Sequence, residues 1–246
     1  MSDLLPVTAI LTFLLAGFTK GVIGLGLPTV AMGLLGLAMP PAKAAALLVV
    51  PSLVTNIWQL AAGPRFGALL RRFWPLLVGI CLGTWAGAGL LTADGTGLAT
   101  AALGVALVAY ALLGLISPHL SIRQSAQPWL SPVVGAVTGL VAAATGVFVI
   151  PAVPYLNALA LDKEDLVQAL GLSFTVSTVA LAVGLAHDGA LPASIAGASL
   201  LALAPALLGM FLGQFVRVRV RPEIFRRCFF LGLLALGVDL AFRAAV

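Results

Sequence analysis

The sequence predicts an all-α polytopic membrane protein of about eight transmembrane helices in two repeats, the first segment of each broken at glycine and proline. The chain is 61% hydrophobic and 9% charged, whereas soluble domains are about 25% charged. Apolar segments recur along its length, most of them close to the roughly 20 residues that a helix needs to cross a bilayer. The same order of segments and breaks then occurs a second time.

The first apolar block, residues 4–39, is too long for one ordinary crossing and is interrupted between Gly24 and Pro28. It is either one tilted, kinked helix or a hairpin of two shorter helices that returns to its own side. Pro40-Pro41 ends the block, because the residue before a proline is pushed out of the α region. A polar loop at 63–72 follows the next helix. The remaining helices of this half are predicted at about 42–62, 73–92 and 96–116.

The second half repeats this plan after a polar loop at 119–127, which separates a first repeat, 1–118, from a second, 128–246. Its block at 131–161 is again long and again broken. Repeats with breaks at matching positions point to a transporter binding site. The alternative is a chance similarity between two sequences that are rich in glycine, alanine and leucine. In the alignment of the halves Gly17 falls on Gly139 and Gly24 on Gly146. After one inserted residue, Pro28 falls on Pro151, Ser52 on Thr175 and Thr55 on Thr178. The remaining helices of the second half are predicted at 164–186, 191–216 and 224–243.

The distribution of arginines bears on how the two repeats are oriented. If each broken block is a hairpin, the repeats are inverted and loops 63–72, 117–130 and 217–227 share one side, with Asp94 and His187-Asp188 on the other. If each block is one crossing, the repeats are parallel and one basic loop faces outward. Because basic loops stay on the cytoplasmic side, we favour inverted repeats.

Lys20 is the first candidate for a functional residue. It lies in a glycine-rich break inside apolar sequence, where an ionisable residue indicates a functional site, and it would anchor an anion. The alternative is a lysine whose side chain reaches the membrane interface. Gly21, Gly24, Gly26 and Pro28 surround it. They would expose backbone N–H groups at a helix N-terminus that binds anions, or they would allow close helix packing.

Polar side chains in the helix after each break form the second group of candidates. Ser52, Asn56 and Gln59 share one helical face with Thr55. They would bind oxyanion oxygens, or they would only join helices by hydrogen bonds, as polar residues do in membrane bundles. In the second half the corresponding candidates are Gln168 and Ser173, and Thr145, at the break itself, would complete that wall of the site.

Other functional classes find little support in the sequence. It has no HExxH or GxSxG motif, and its two histidines and two cysteines have no metal-ligand spacing. We therefore predict no enzyme, no metal and no cofactor. The net charge of +5 comes from short arginine-rich loops. Such loops are better explained by the positive-inside rule, which orients membrane helices, than by nucleic-acid binding.

The breaks and the helices after them resemble a known family. Gly17–Pro28, Pro40–Ala45 and Pro51–Asn56 are similar to the first-repeat signature of the sulfite exporter family TauE/SafE. Gly135–Pro154 and Gln168–Phe174 are similar to the second. The second repeat departs from the family pattern, because Ala142–Gly146 lacks the several glycines often found there. That departure leaves Lys20 and the first repeat as the expected centre of the site.

The resemblance implies a multi-pass permease of the bacterial inner membrane that moves a small anion such as sulfite or an organosulfonate. It also implies export coupled to an ion gradient, of protons or sodium, by alternating access at the two broken helices. The alternatives are a channel-like anion pore and a non-transporting membrane scaffold or assembly protein. The expected partners are the anion, the coupling ion and the lipid bilayer, and a homodimer is left open.

Overall fold

The protein is all-helical throughout the residues that the computed structural model describes, which are 4–93, 97–116, 121–219 and 221–244. Helices suit a membrane because they satisfy their backbone polar groups internally. A short 3-10 turn, Gln124–Ala126, precedes the sixth of ten α-helices in these ranges. The helices are α1 Leu4–Ile23, α2 Leu27–Gly36, α3 Pro41–Ala61, α4 Phe66–Ala86, α5 Leu98–Ile116, α6 Gln127–Thr145, α7 Ala152–Ala158, α8 Lys163–His187, α9 Ala193–Arg217 and α10 Pro222–Arg243.

Six of the described helices are long and apolar enough to cross a membrane: α3, α4, α5, α6 with its preceding turn, α8 and α9. The apolar parts of the first block, Val7–Ile23 and Leu27–Gly36, are shorter. α10 carries charged residues near both ends. The polytopic membrane architecture is therefore confirmed, while only six of the roughly eight predicted crossings meet the criteria of length and composition.

Both predicted ends of the helix at 73–92 are wrong, since α4 is Phe66–Ala86. α4 begins at Phe66, so Arg71 and Arg72 lie in its first turns and not in a loop extending over 63–72. The long aliphatic stem of arginine lets its charged end reach polar surroundings from a helix, and the Arg72 Nη2 donates to Gln127 Oε1 at 3.0 Å. Asp94 and residues 117–120 lie outside the described residues. Residues 117–120 include the predicted end of the first repeat at 118 and the first two residues of the predicted loop at 119–127.

The first broken block folds back on itself. Gly24 and Gly26 have φ values of 76° and 105°, a conformation that glycine adopts without strain. A methyl group on Gly26 would lie 2.8 Å from the Thr19 Cγ2, seven positions earlier, whereas seven residues of continuous helix span about 10 Å. Pro28 follows in the first turn of α2, where its missing N–H costs no hydrogen bond. α1 and α2 therefore form a helical hairpin.

The second broken block folds back in the same way. α6 ends at Thr145 and is capped by Gly146, whose φ is 71°. The Ser131 Oγ in the first turns of α6 lies 2.6 Å from the Tyr155 Oη in α7. The Ile122 N–H, just before α6, donates to the Ala158 carbonyl at 3.0 Å. The end of α7 thus lies beside the start of α6, and the two helices form a second hairpin.

The long arm of each hairpin packs on a helix from the other half of the chain. A methyl group on Gly17 of α1 would lie 2.0 Å from the Ala206 carbonyl oxygen of α9. In the matching contact, a methyl on Gly83 of α4 would lie 1.9 Å from the Ala136 oxygen of α6. Small residues let helix backbones approach this closely in membranes. The two glycine-lined contacts, α1–α9 and α4–α6, hold both hairpins in place beside α3 and α8.

Candidate functional site

Lys20 lies in the last turn of α1, just before the turn of the first hairpin. Its exposed fraction is 5%, and it is the only buried charged side chain among the described residues. The Lys20 carbonyl accepts the Gly24 N–H at 2.8 Å, so the backbone that carries the side chain is part of the hairpin turn. The first hairpin therefore places a single positive charge inside the helical bundle.

The Lys20 ammonium is held by neutral groups on α3. It donates to the Thr55 Oγ1 at 3.1 Å and to the Asn56 Oδ1. No carboxylate of a described residue lies within 4.0 Å of it. The two oxygens satisfy hydrogen bonds of the ammonium, but its charge is left without a counter-ion in a medium where charge interactions are strong.

Asn56 extends this contact to the second half of the chain. Its Nδ2 donates to the Thr178 Oγ1 on α8 at 3.2 Å. The Thr178 hydroxyl in turn donates to the Phe174 carbonyl at 2.7 Å. A continuous hydrogen-bonded series thus runs from α1 through α3 to α8. We call Lys20, Thr55, Asn56 and Thr178 the polar chain.

A small cavity adjoins the polar chain at Thr178. Its volume is about 10 Å³, roughly the space of one water molecule. The Ser52 side chain lines it, is 1% exposed, and its Oγ has no hydrogen-bond partner among the described residues. Gly146 and Phe148, from the turn of the second hairpin, line the other wall.

The two hairpins meet at this place. A methyl on Gly146 would lie 2.8 Å from the Met32 Cε of α2. The turn of the second hairpin therefore touches the short arm of the first, with the polar chain alongside. The unpartnered Ser52 hydroxyl therefore lies in a cavity walled by the second turn, and the polar chain reaches the same cavity through Thr178.

Gln59 and Gln168 lie farther along the α3–α8 contact than the polar chain. The Gln59 Nε2 donates to the Val167 carbonyl at 3.1 Å, and the Gln168 Nε2 donates to the Leu60 carbonyl at 2.9 Å. The Gln168 Oε1 accepts the Arg65 N–H at 3.0 Å. These exchanges with backbone groups fasten α3 to α8 beside the site.

A family model described as "Sulfite exporter TauE/SafE" matches residues 9–240. The chain belongs to the TauE/SafE family. It is accordingly a membrane transporter and not an enzyme. Comparisons with curated proteins and with solved structures give no match.

The remaining predicted residues of this TauE/SafE transporter have local bonding partners or shape the backbone. The Thr145 and Ser173 hydroxyls donate to carbonyls four positions earlier in their own helices, at 2.7 and 2.9 Å. Gly21 lies against α9, where an added methyl would be 2.2 Å from the Met210 oxygen. The structure thus places these three residues outside the polar chain.

Two members of the polar chain, Thr55 and Thr178, were not among the expected site residues of this TauE/SafE protein. Both hydroxyls donate to the carbonyl four positions earlier, Thr55 to Pro51 and Thr178 to Phe174, each at 2.7 Å. Each keeps a lone pair that accepts the Lys20 or the Asn56 donor. The alignment of Thr55 with Thr178 between the halves was the signal that could have identified them.

Proposed function

We propose that this TauE/SafE transporter exports a small anion, such as sulfite or an organosulfonate, across the bacterial inner membrane. The observation that supports this is the Lys20 ammonium, buried against neutral oxygens only. A buried ion without a partner costs several kcal/mol. A bound anion would supply the missing counter-charge, so the site favours a negatively charged substrate.

In this proposal the anion binds between the two hairpins. Lys20 is its charge partner, while the Asn56 amide and the Ser52 hydroxyl donate to its oxygens. Hydrogen bonds from charged groups are stronger than neutral ones, so Lys20 contributes most of the affinity. Gly24, Gly26 and Pro28 shape the first turn next to the anion, Gly21 seats α1 on α9, and Thr145, Gln59, Gln168 and Ser173 support the walls.

We propose the inverted arrangement of the two repeats, each formed by a hairpin and three crossings. Contacts between α1 and α9 advance together along both helices, from Leu14–Gly209 to Phe18–Gly213. α5 and α10 run in opposite directions, since Gly104 lies by Ala241 and Gly114 by Phe230. In the inverted arrangement residues 63–65, 121–126, 217–219 and 221 would share one side, which we assign to the cytoplasm because of its arginines.

Transport would proceed by alternating access, because the hairpins meet over a cavity that holds no more than a water molecule. An open pore would need a continuous passage at this place. Opening toward either side would part the hairpins and let the anion replace the Asn56 oxygen at Lys20. Export against a gradient would be driven by a proton or a sodium ion.

Flux measurements with purified protein in liposomes test this proposal. Lys20→Met keeps most of the side-chain volume and removes the charge; we expect sulfite and sulfonate flux to fall by about a hundredfold or more, the equivalent of roughly 3 kcal/mol. Lys43→Met, at an exposed lysine at the start of α3, is the matched control and should transport normally. Wild-type flux in Lys20→Met would refute the site.

The same preparation separates the alternative functions. Saturable flux that follows an imposed proton or sodium gradient supports a secondary transporter. Flux that rises linearly with concentration and ignores both gradients would indicate a channel-like pore. A ligand at 100 times its Kd stabilises a folded protein by about 2.7 kcal/mol. If no anion stabilises this protein and no anion is transported, the protein is a scaffold.

A further inference from the structure

The turn between α9 and α10 is the most basic part of the surface. Five arginines lie within residues 217–227, all with exposed side chains, and Glu223 is the single acidic residue among them. We call these arginines the basic corner. They are Arg217, Arg219, Arg221, Arg226 and Arg227.

The arginines of the basic corner form no ion pair with an acidic side chain among the described residues. The ion pairs among the described residues involve Arg65, His187 and Arg243. Arg65 on the same face bonds to Asp165 at 2.9 Å. The basic corner thus differs from Arg65, because its guanidinium groups have no carboxylate partner in the part of the chain that the structure describes.

Exposed apolar side chains accompany these charges. Val218 is 88% exposed and Phe215 is 65% exposed. The Arg219 guanidinium carbon lies 4.2 Å from the centre of the Phe215 ring. Since α9 is a candidate membrane span that ends at Arg217, this mixture of aromatic, aliphatic and cationic groups lies at the level where lipid headgroups begin.

We propose that the basic corner binds the phosphate headgroup of an anionic phospholipid. The guanidinium group offers paired donors that match phosphate oxygens. Clusters of four to eight basic residues next to a membrane helix attract anionic lipid in general. The apolar side chains beside the arginines favour a lipid over a free phosphate ion, since the acyl chains of the lipid would cover them.

The inner face of α10, which carries Arg226 and Arg227, supports the first hairpin. Phe225 packs edge-on against Phe18 of α1, with ring centres 6.0 Å apart. A methyl on Gly26 would lie 3.0 Å from the Phe229 Cε2. A headgroup bound to Arg226 or Arg227 would therefore hold the turns of α10 against which the Lys20 hairpin rests.

Lipid binding by the purified full-length protein tests this proposal without reference to the transported anion. Native mass spectrometry measures bound phosphatidylglycerol against phosphatidylcholine. The test variant is Arg217→Gln/Arg219→Gln/Arg221→Gln, and the matched control Arg65→Gln/Arg71→Gln/Arg123→Gln removes three exposed arginines elsewhere on this face. We expect the test variant to lose affinity for phosphatidylglycerol by about tenfold or more and the control to stay within about twofold.

A second variant and a second ligand complete the experiment. Thermal unfolding shows whether the first variant is folded. If it is not, Arg226→Gln/Arg227→Gln replaces it and should show the same loss of affinity for phosphatidylglycerol. Equal losses in the test and control variants would overturn the proposal, since net charge alone would then explain them. Displacement of phosphatidylglycerol by an equal concentration of inorganic phosphate would also overturn it, because the corner would then bind free phosphate.

Discussion

The Lys20 ammonium donates to the side-chain oxygen of Asn56, 36 positions later in the chain, across the contact of α1 with α3. An amide oxygen holds the ammonium without cancelling its charge. The alignment of the halves places Ala142 opposite Lys20 and Val179 opposite Asn56. Both members of the pair are replaced together in the second half, so the protein has one such charge and not two.

Asn56→Asp should weaken anion binding while the protein stays folded. The carboxylate would give Lys20 a permanent counter-ion of nearly the same shape as the amide, and a substrate would have to displace it. We expect the apparent affinity for sulfite to fall at least about tenfold, since buried charged hydrogen bonds contribute roughly 1.5–3 kcal/mol. Thermal stabilisation by sulfite measures this. Asn56→Ala leaves Lys20 without a counter-ion and should lose less affinity for sulfite than Asn56→Asp. A larger loss in Asn56→Ala would contradict competition between the carboxylate and the anion for Lys20.

Gly83→Ala should destabilise the protein strongly. The added methyl would lie 1.9 Å from the Ala136 backbone oxygen, which cannot move without shifting α6. The cost is about 1–3 kcal/mol or more, measured as thermal unfolding in detergent. Gly184→Ala is the matched control, because nothing lies within 4 Å of its added methyl and alanine favours a helix. Equal stability of the two variants would be inconsistent with the glycine-lined contact.

Cysteine labelling should place Gly67 and Arg221 on the same side of the membrane. Cys81 and Cys228, both free and exposed, are first changed to serine. A membrane-impermeant maleimide should then label Gly67→Cys and Arg221→Cys from one side. It should label His187→Cys, whose native side chain is 85% exposed, from the other side. Labelling of Gly67→Cys and Arg221→Cys from opposite sides would restore the parallel arrangement of the repeats.

Thr92→Val should make the protein less stable at neutral pH but not in acid. The Thr92 hydroxyl donates to the Asp188 Oδ2 at 3.0 Å, and this bond, followed by that with His187, lowers the pKa of Asp188. A carboxyl group whose pKa is lowered by folding stabilises the folded state at any pH above its pKa in the unfolded chain. This stabilisation is lost as the pH falls through the folded-state pKa. Thermal unfolding at pH 7 should therefore separate the variant from wild type. A difference that persists unchanged at the lowest pH would show that the charge of Asp188 is not involved.

The positions of the breaks and of the central charge could be predicted because they depend on local features. Gly24, Gly146 and Lys20 are recognisable in apolar sequence by residue type alone. The partners across helix contacts were harder to predict, because they depend on which helix lies opposite. Thr178 is an ordinary threonine until Asn56 is placed beside it, and Gly21 is a backbone contact only because Met210 lies against it.

The exchange of helices between the halves limits what each half can do alone. Gly17 and Gly21 fit against α9, while Gly135 and Gly139 fit against α4. A chain cut between its repeats would leave bare backbone grooves on both pieces. Each half of the chain therefore depends on the other half to cover these grooves.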